Sequence, residues 1–365
     1  MTKQYKKFFC AILILALLLR VYIVFFSGLS WYAPDSKTYL EMAKAIIDGH
    51  PISYFPNGFP LLLAGIMLLS PTNVPVIIVL LNIILQISTI ILFEKILVRY
   101  SIKKETRIVI IFAIAFFPHL VSNVRFILTE TLSLFLIALS LLFYTRKKYA
   151  VSGFGGYLTY TFRPSLLLVS PFTIIYDFLC KLKSPALKTM IGFIIGILLF
   201  AALEWSQTVA PPGNQYYNAL IAINAYGYNI DYKLKNLSED EKKHPVETYF
   251  NFMVNHPVKY AEQRFLSLWS LWGPVVPSEY GIIGMILHGM RFPFFILAIC
   301  AFLFRNKMEY DKSLILMMSF PVISLTLIHF FFFSDQRHQT VAEPFVVILG
   351  ILFLSHLFKS RFLKN

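Results

Sequence analysis

The stretch FFCAILILALLLRVYIVFFSG, Phe8 to Gly28, decides the fold class. It is almost entirely Leu, Ile, Val, Phe and Ala, and it is long enough to cross a bilayer, for which a helix needs about 20 residues. Behind it come Pro34-Asp35-Ser36, then Tyr39 and Glu41, then the Pro- and Gly-broken Tyr54-Phe55-Pro56-Asn57-Gly58-Phe59-Pro60. A membrane-spanning first run delivers Asp35 to the surface on the far side. A carboxylate held where lipid meets water suits chemistry on a lipid-linked substrate.

The rest of the chain carries the same signature. Of its 365 residues, 57% are hydrophobic and 14% charged, against about 25% charged in soluble domains. The apolar residues fall in long runs, whereas a membrane barrel needs short alternating strands. Backbone polar groups in lipid must be satisfied within their own segment. The expectation is an all-α, polytopic membrane protein of about ten spans: 8–28, 75–98, 107–121, 126–145, 149–161, 164–180, 188–209, 282–304, 313–333 and 340–358. The fifth is short and carries Gly153, Gly155 and Gly156. The first run exceeds the apolar core of about 7–15 residues of a cleavable signal and is expected to stay as an anchor.

The formal charge is +14, and its distribution excludes a nucleic-acid partner. No basic, aromatic-interleaved soluble module is present. The cations collect instead in short loops: Lys3, Lys6 and Lys7; Arg99, Lys103, Lys104 and Arg107; Arg146, Lys147 and Lys148; Lys181, Lys183 and Lys188; Arg305, Lys307 and Lys312; Lys359, Arg361 and Lys364. Ten spans place all six clusters and both termini on the cytoplasmic side, as the positive-inside rule expects. Dropping a span would carry the later clusters across. Cys10, Cys180 and Cys300 then lie in or near cytoplasmic halves of spans, so no disulfide is expected, and their spacing fits no metal site.

With no internal repeat or linker, residues 1–365 read as one integral-membrane domain with external segments 29–74 and 210–281. Within the first, 57–70 is apolar but short, and a helix lying in the interface is expected. The second opens with Pro211-Pro212-Gly213-Asn214, carries mixed charge from Asp231 to Glu247, and closes on Trp269 and Trp272, which suit a membrane interface.

Most polar residues that break the apolar pattern lie at external ends of spans: Asp35 after the first, Arg125 and Glu130 at the entry to the fourth, Arg163 at the head of the sixth, Arg337 and His338 between the ninth and tenth, and Glu343 a little deeper. Ionisable groups at membrane depth are costly and mark sites by default. Their shared side suggests one external cavity. Each also has a plainer reading. Arg125 and Glu130 could be a structural pair, Arg163 could snorkel to headgroups, and Asp35 could cap a helix starting at Ser36. His119 and His329 read as packed, bundle-facing residues rather than metal ligands.

In chain order the motifs are Pro34-Asp35-Ser36 with Tyr39, Phe55-Pro56-Asn57-Gly58-Phe59-Pro60-Leu61-Leu62, Leu128-Thr129-Glu130-Thr131-Leu132, Thr161-Phe162-Arg163-Pro164, His256-Pro257-Val258-Lys259-Tyr260, and Gln336-Arg337-His338-Gln339 through Glu343-Pro344. Over most of the chain this order resembles the GT-C superfamily of integral-membrane glycosyltransferases, with the flavour of protein O-mannosyltransferases and bacterial aminoarabinose transferases. The resemblance implies a polyprenyl- or dolichyl-phosphate-linked sugar donor, inverting transfer, Asp35 as general base and Glu130 as the second-loop acid. Many relatives carry a second acid in the first loop, where this chain has Ser36.

The chemistry of such a transfer agrees with these residue types. A lipid-phosphate leaving group is already activated, so the enzyme must deprotonate an acceptor hydroxyl, a carboxylate's task. It must also neutralise the departing phosphate, for which arginine's bidentate bonds are suited. Arg163, Arg337, Arg264 and His338 are expected on the donor phosphate; Tyr39, Tyr54 and Arg125 are expected on the acceptor. No nucleotide diphosphate is released, so the chemistry requires no cofactor and no divalent metal. The partners expected are a lipid-linked sugar donor, a glycan, lipid or protein acceptor, and membrane lipid. Two other readings stand beside this one. One is a polysaccharide polymerase or ligase using a lipid-diphosphate donor. The other is a transporter or flippase, which should carry its ionisable residues at mid-membrane on broken helices of two repeats. Abundant Lys, Ile, Phe and Asn point to an AT-rich bacterial source and so to an inner membrane, and the ten-span topology puts the site on its external face.

Overall fold

A computed structural model describes residues 3–52, 56–206, 245–273, 289–331 and 340–362. Tyr54, Arg337 and His338 lie outside the described residues, as does most of the 210–281 segment. Among the described residues every regular element is helical.

The order is α1 (Lys3–Phe25), α2 (Ser36–Ile47), α3 (Gly58–Leu69), α4 (Val74–Arg99), α5 (Lys104–Phe116), α6 (Pro118–Asn123), α7 (Glu130–Thr145), α8 (Tyr149–Phe162), α9 (Val169–Leu179), α10 (Lys183–Trp205), α11 (Pro245–Asn255), α12 (Pro257–Trp272), α13 (Arg291–Leu303), α14 (Lys312–Phe331) and α15 (Glu343–Phe362). The 26 residues of α4 rise about 39 Å at 1.5 Å each. That exceeds the roughly 30 Å hydrocarbon core and puts both ends among headgroups. By length and composition α1, α4, α10 and α14 can each cross a membrane. All ten apolar runs of the sequence contain helix, in a helical membrane protein.

Boundaries depart from the apolar runs where local chemistry intervenes. The run 107–121 breaks at Pro118, whose ring removes an amide and crowds the preceding turn. Helix α5 therefore stops at Phe116, Phe117 is extended, and α6 restarts on the proline. The run 126–145 becomes helical only at Glu130. The run 164–180 opens with a single 3-10 turn, Pro164–Leu166, before α9.

One large core joins α4, α5, α7, α14 and α15 through Ile90, Phe93, Ile111, Ile137, Leu314 and Phe345. Phe93 meets Phe345 edge-on with ring centroids 5.3 Å apart. Outside it, α1 and α10 leave most of their apolar surface exposed, Leu18 and Leu198 among it; lipid is the solvent that suits such faces. The glycines of the fifth run explain how so short a helix packs. A Cβ on Gly153 of α8 would land on the Thr189 carbonyl of α10, and one on Gly192 of α10 would land on the Ala150 carbonyl of α8. The two backbones touch along a reciprocal seam, the small-residue packing that membranes favour.

Helices α2 and α3 form a cap at one end of the bundle. Tyr39 and Phe59 meet edge-on at 5.1 Å and pack with Leu63, Ile78, Ile127 and Phe162. At 12 residues, α3 is too short to span, and its Leu69 is 89% exposed. The opposite end carries the basic turns. There Arg107 Nε lies 3.3 Å from Glu94 Oε1 and donates to Tyr5 OH at 3.3 Å, and Lys359 pairs with Glu309.

Candidate active site

Asp35 sits one residue before α2, and its carboxylate makes no side-chain bond to the helix amides. The capping role is therefore not what holds an acid here. The neighbouring serine does the structural work. Ser36 is fully buried; its Oγ donates to the Ile127 carbonyl at 3.0 Å and accepts the Ala33 amide at 2.9 Å. The Ile127 amide returns a bond to the Trp31 carbonyl at 3.1 Å. From α4, Asn82 Nδ2 donates to the carbonyls of Val124 and Phe126 at 3.1 and 2.9 Å. The first loop is thus stitched to the segment that leads into Glu130.

Glu130 opens α7, where a carboxylate is favoured by the helix dipole. Its partner is Arg163 and not Arg125: Arg163 Nη1 lies 3.2 Å from Glu130 Oε1 and 3.4 Å from Thr129 Oγ1. The sequence places Arg163 there for a simple reason. Pro164 disfavours helical geometry in the residue before it, so α8 ends at Phe162 and Arg163 is extended. Both partners are buried, Arg163 at 7% exposure and Glu130 at 5%. Snorkelling to headgroups does not describe Arg163. Glu130 Oε2 is buried without a hydrogen-bond partner among the described residues, an acceptor aimed into the protein. Arg125 donates to the Ser30 carbonyl at 3.0 Å and lies over the Phe126 ring at 4.2 Å, which fastens the first loop. Tyr39 is buried against Phe59.

Helix α3 delivers its first turn to the same place. A Cβ on Gly58 would fall 2.6 Å from Thr161 Oγ1 and 2.8 Å from the Thr161 carbonyl oxygen. Only glycine lets α3 approach the end of α8, two residues before Arg163. Arg264 arrives by another route. It is buried on α12, with Nη1 donating to the Phe330 carbonyl at 3.0 Å and its guanidinium 5.2 Å from the Tyr260 ring centre. The Arg163 turn meets α14 at Ser324, whose Oγ donates to the Ser165 carbonyl at 2.9 Å. Arg163's turn and Arg264 thus touch one helix six residues apart, about 9 Å along its axis.

A second charged group lies beside this one and was not singled out in the sequence as a unit. Glu343, the first residue of α15, has Oε1 3.0 Å from His119 Nδ1 and 3.5 Å from Arg291 Nη1. His119 stands on the short α6 created by Pro118, and Arg291 opens α13. His119 and the buried His329 are bundle-facing residues, as their sequence context suggests. Arg20 and Gln86 were also passed over. Arg20 Nε donates to Gln86 Oε1 at 2.7 Å, its Nη1 donates to the carbonyls of Ala16 and Ala115 at 3.0 Å, and Gln86 Nε2 donates to the Leu120 carbonyl at 2.7 Å. Polar residues inside apolar runs were the available signal. Among the described residues, no three His, Cys, Asp or Glu side chains converge as a metal site would require.

No protein-family model and no curated protein sequence matches the chain. Among solved structures it is similar to the oligosaccharyltransferase of Archaeoglobus fulgidus, tethered through a disulfide bond to an acceptor peptide containing the NVT sequon. The TM-score is 0.56 at 14% sequence identity, over 99% of this chain and 51% of that one. The chain therefore spans about half the length of that enzyme and shares its fold over that half.

Proposed function

We propose that this protein is a membrane-embedded glycosyltransferase that moves a sugar from a polyprenyl-phosphate-linked donor to a hydroxyl acceptor on the external membrane face, with inversion. The observation that carries the reading is the Ser36–Ile127 bond, which ties the loop bearing Asp35 to the segment bearing Glu130 and its buried Arg163. Asp35 takes the acceptor proton. The acceptor oxygen attacks the anomeric carbon, and the carbon–oxygen bond to the lipid phosphate breaks on the opposite face, the phosphate leaving with the electron pair. One displacement inverts the centre. Arg163, with Arg264 and Arg337, neutralises the departing phosphate through charge-assisted bonds. Glu130 orients Arg163 and offers its second oxygen to a substrate hydroxyl. No step is routed through a metal. The fold it shares with an oligosaccharyltransferase supports a transferase over a carrier.

The test is transfer in proteoliposomes of a radiolabelled sugar from a polyprenyl monophosphate to a hydroxyl acceptor. Transfer by the wild-type protein, with anomeric inversion in the product, is the expected result. Use of lipid-diphosphate donors alone, or movement of the intact lipid-linked sugar across the bilayer without transfer, would overturn the reading.

A further inference from the structure

At the end of the bundle away from Asp35, three chain turns border an open pocket of about 450 Å3, lined by Arg99, Tyr100, Ser101, Thr145, Lys147 and Asp311. Its size is that of a small-ligand site. We propose that this cavity binds a lipid headgroup in which a phosphate and an ammonium are joined, the phosphoethanolamine type, independently of the chemistry at the other end.

The charges argue for a ligand that carries both signs. The side chains of Arg99 and Lys147 make no ion pair or hydrogen bond with any described residue. Yet Asp311 lines the same cavity. Its Oδ1 instead accepts the Ser313 amide at 2.8 Å and the Ser313 hydroxyl at 2.7 Å, holding it at the start of α14. Two cations and a fixed carboxylate therefore face one space without closing on each other. The cations complement a phosphate, with the hydroxyl of Ser101 as a further donor, while the carboxylate complements an ammonium. Cations at the ends of α4 and α7 also suit the helix dipoles, but that accounts for neither the cavity nor the separation from Asp311.

Position selects the lipid over a soluble phosphate. Arg99 ends a helix whose length puts it at headgroup depth. Its neighbour Val98 is an exposed apolar side chain, next to which an acyl chain would leave the cavity. By the positive-inside rule this basic end faces the cytoplasmic leaflet.

Three substitutions test the site with little burden on the fold. Lys147 has a left-handed backbone, φ 63°, which asparagine tolerates well, so Lys147→Asn removes the charge and relaxes the turn. Asp311→Asn preserves the cap. Arg99→Gln keeps an exposed polar side chain. The purified full chain is titrated with phosphatidylethanolamine, phosphatidylglycerol, soluble phosphoethanolamine and inorganic phosphate, with bound species read by native mass spectrometry and melting temperature as the control for folding. The wild-type protein is expected to hold one phosphatidylethanolamine more tightly than phosphatidylglycerol. Arg99→Gln and Lys147→Asn each weaken it about tenfold or more, the scale of a charge-assisted bond. Asp311→Asn removes the preference between the two lipids. Unchanged retention in Arg99→Gln and Lys147→Asn overturns the site. Equal binding of soluble phosphoethanolamine or inorganic phosphate overturns the lipid as its occupant.

Discussion

Ser36 Oγ and the Ile127 carbonyl meet at 3.0 Å across 91 residues of sequence. The hydroxyl is a buried fastener. Its loss would leave the Ile127 carbonyl and the Ala33 amide without their shared partner. Ser36→Ala is expected to cost about 1–3 kcal/mol of stability and to lower sugar transfer by loosening the loop. Ser36→Thr, which keeps the hydroxyl, should recover part of the activity. Denaturation and transfer rates measured on both variants check this; an active, loosely folded Ser36→Ala would detach the loop from the chemistry.

Asp35→Asn removes a proton acceptor while keeping the shape of the side chain. General-base loss typically costs about 100- to 10,000-fold in rate. Asparagine keeps the acceptor oxygen and caps a helix about as well as aspartate, so stability should move by no more than about 0.5 kcal/mol. The variant should express, bind donor and transfer almost no sugar. Near-normal turnover would sink the assignment and shift attention to Glu130.

The Glu130–Arg163 pair predicts a non-additive double-mutant cycle. Removing one member of a buried pair strands the other and costs about 3–5 kcal/mol. Arg163→Met and Glu130→Gln should each lower the melting temperature sharply, whereas the double substitution should be more stable than their sum. Arg163→Lys should keep part of the stability yet weaken donor use, since lysine cannot make a planar bidentate contact. Additive losses would show that the two side chains do not depend on each other.

Helix α3 supplies its own control. Gly58→Ala forces a methyl to within 2.8 Å of the Thr161 carbonyl oxygen, whereas a Cβ at Gly65 meets nothing within 4 Å. The first substitution should cost about 1–3 kcal/mol, the scale of overpacking, and impair transfer through the displaced end of α8. Gly65→Ala, on the same helix, should be neutral or slightly stabilising. Thermal unfolding of the two variants separates a packing contact from a general intolerance of α3 to substitution.

The number and order of apolar runs were legible because hydropathy is a sum over twenty residues and tolerates local exceptions. What escaped was set by single residues. Pro118 was visible, but the split of one run into α5 and α6 depends on what accepts the freed groups. Arg291 hid inside the apolar run 282–304, and its partner Glu343 lies 52 residues away. Glu130 was recognised as an interruption in the pattern, while its pairing with Arg163 over Arg125 follows from packing that no spacing encodes. Gly153 suggested a weak helix; the structure gives it a seam with α10, visible only once Thr189 stands opposite.

Arg20 has a history that the finished fold conceals. Its acceptors beyond α1 itself are Gln86 and the Ala115 carbonyl, which the ribosome makes 66 and 95 residues later. At about 5–20 residues per second, α1 waits on the order of 5–20 s for the later of these, with only its own Ala16 carbonyl on the guanidinium. A charge at the centre of a nascent helix opposes insertion by about 2.5–3.5 kcal/mol, less when it can reach the interface. Helix α1 is thus among those whose docking must wait, and the bundle closes backwards onto an element made well before its partners.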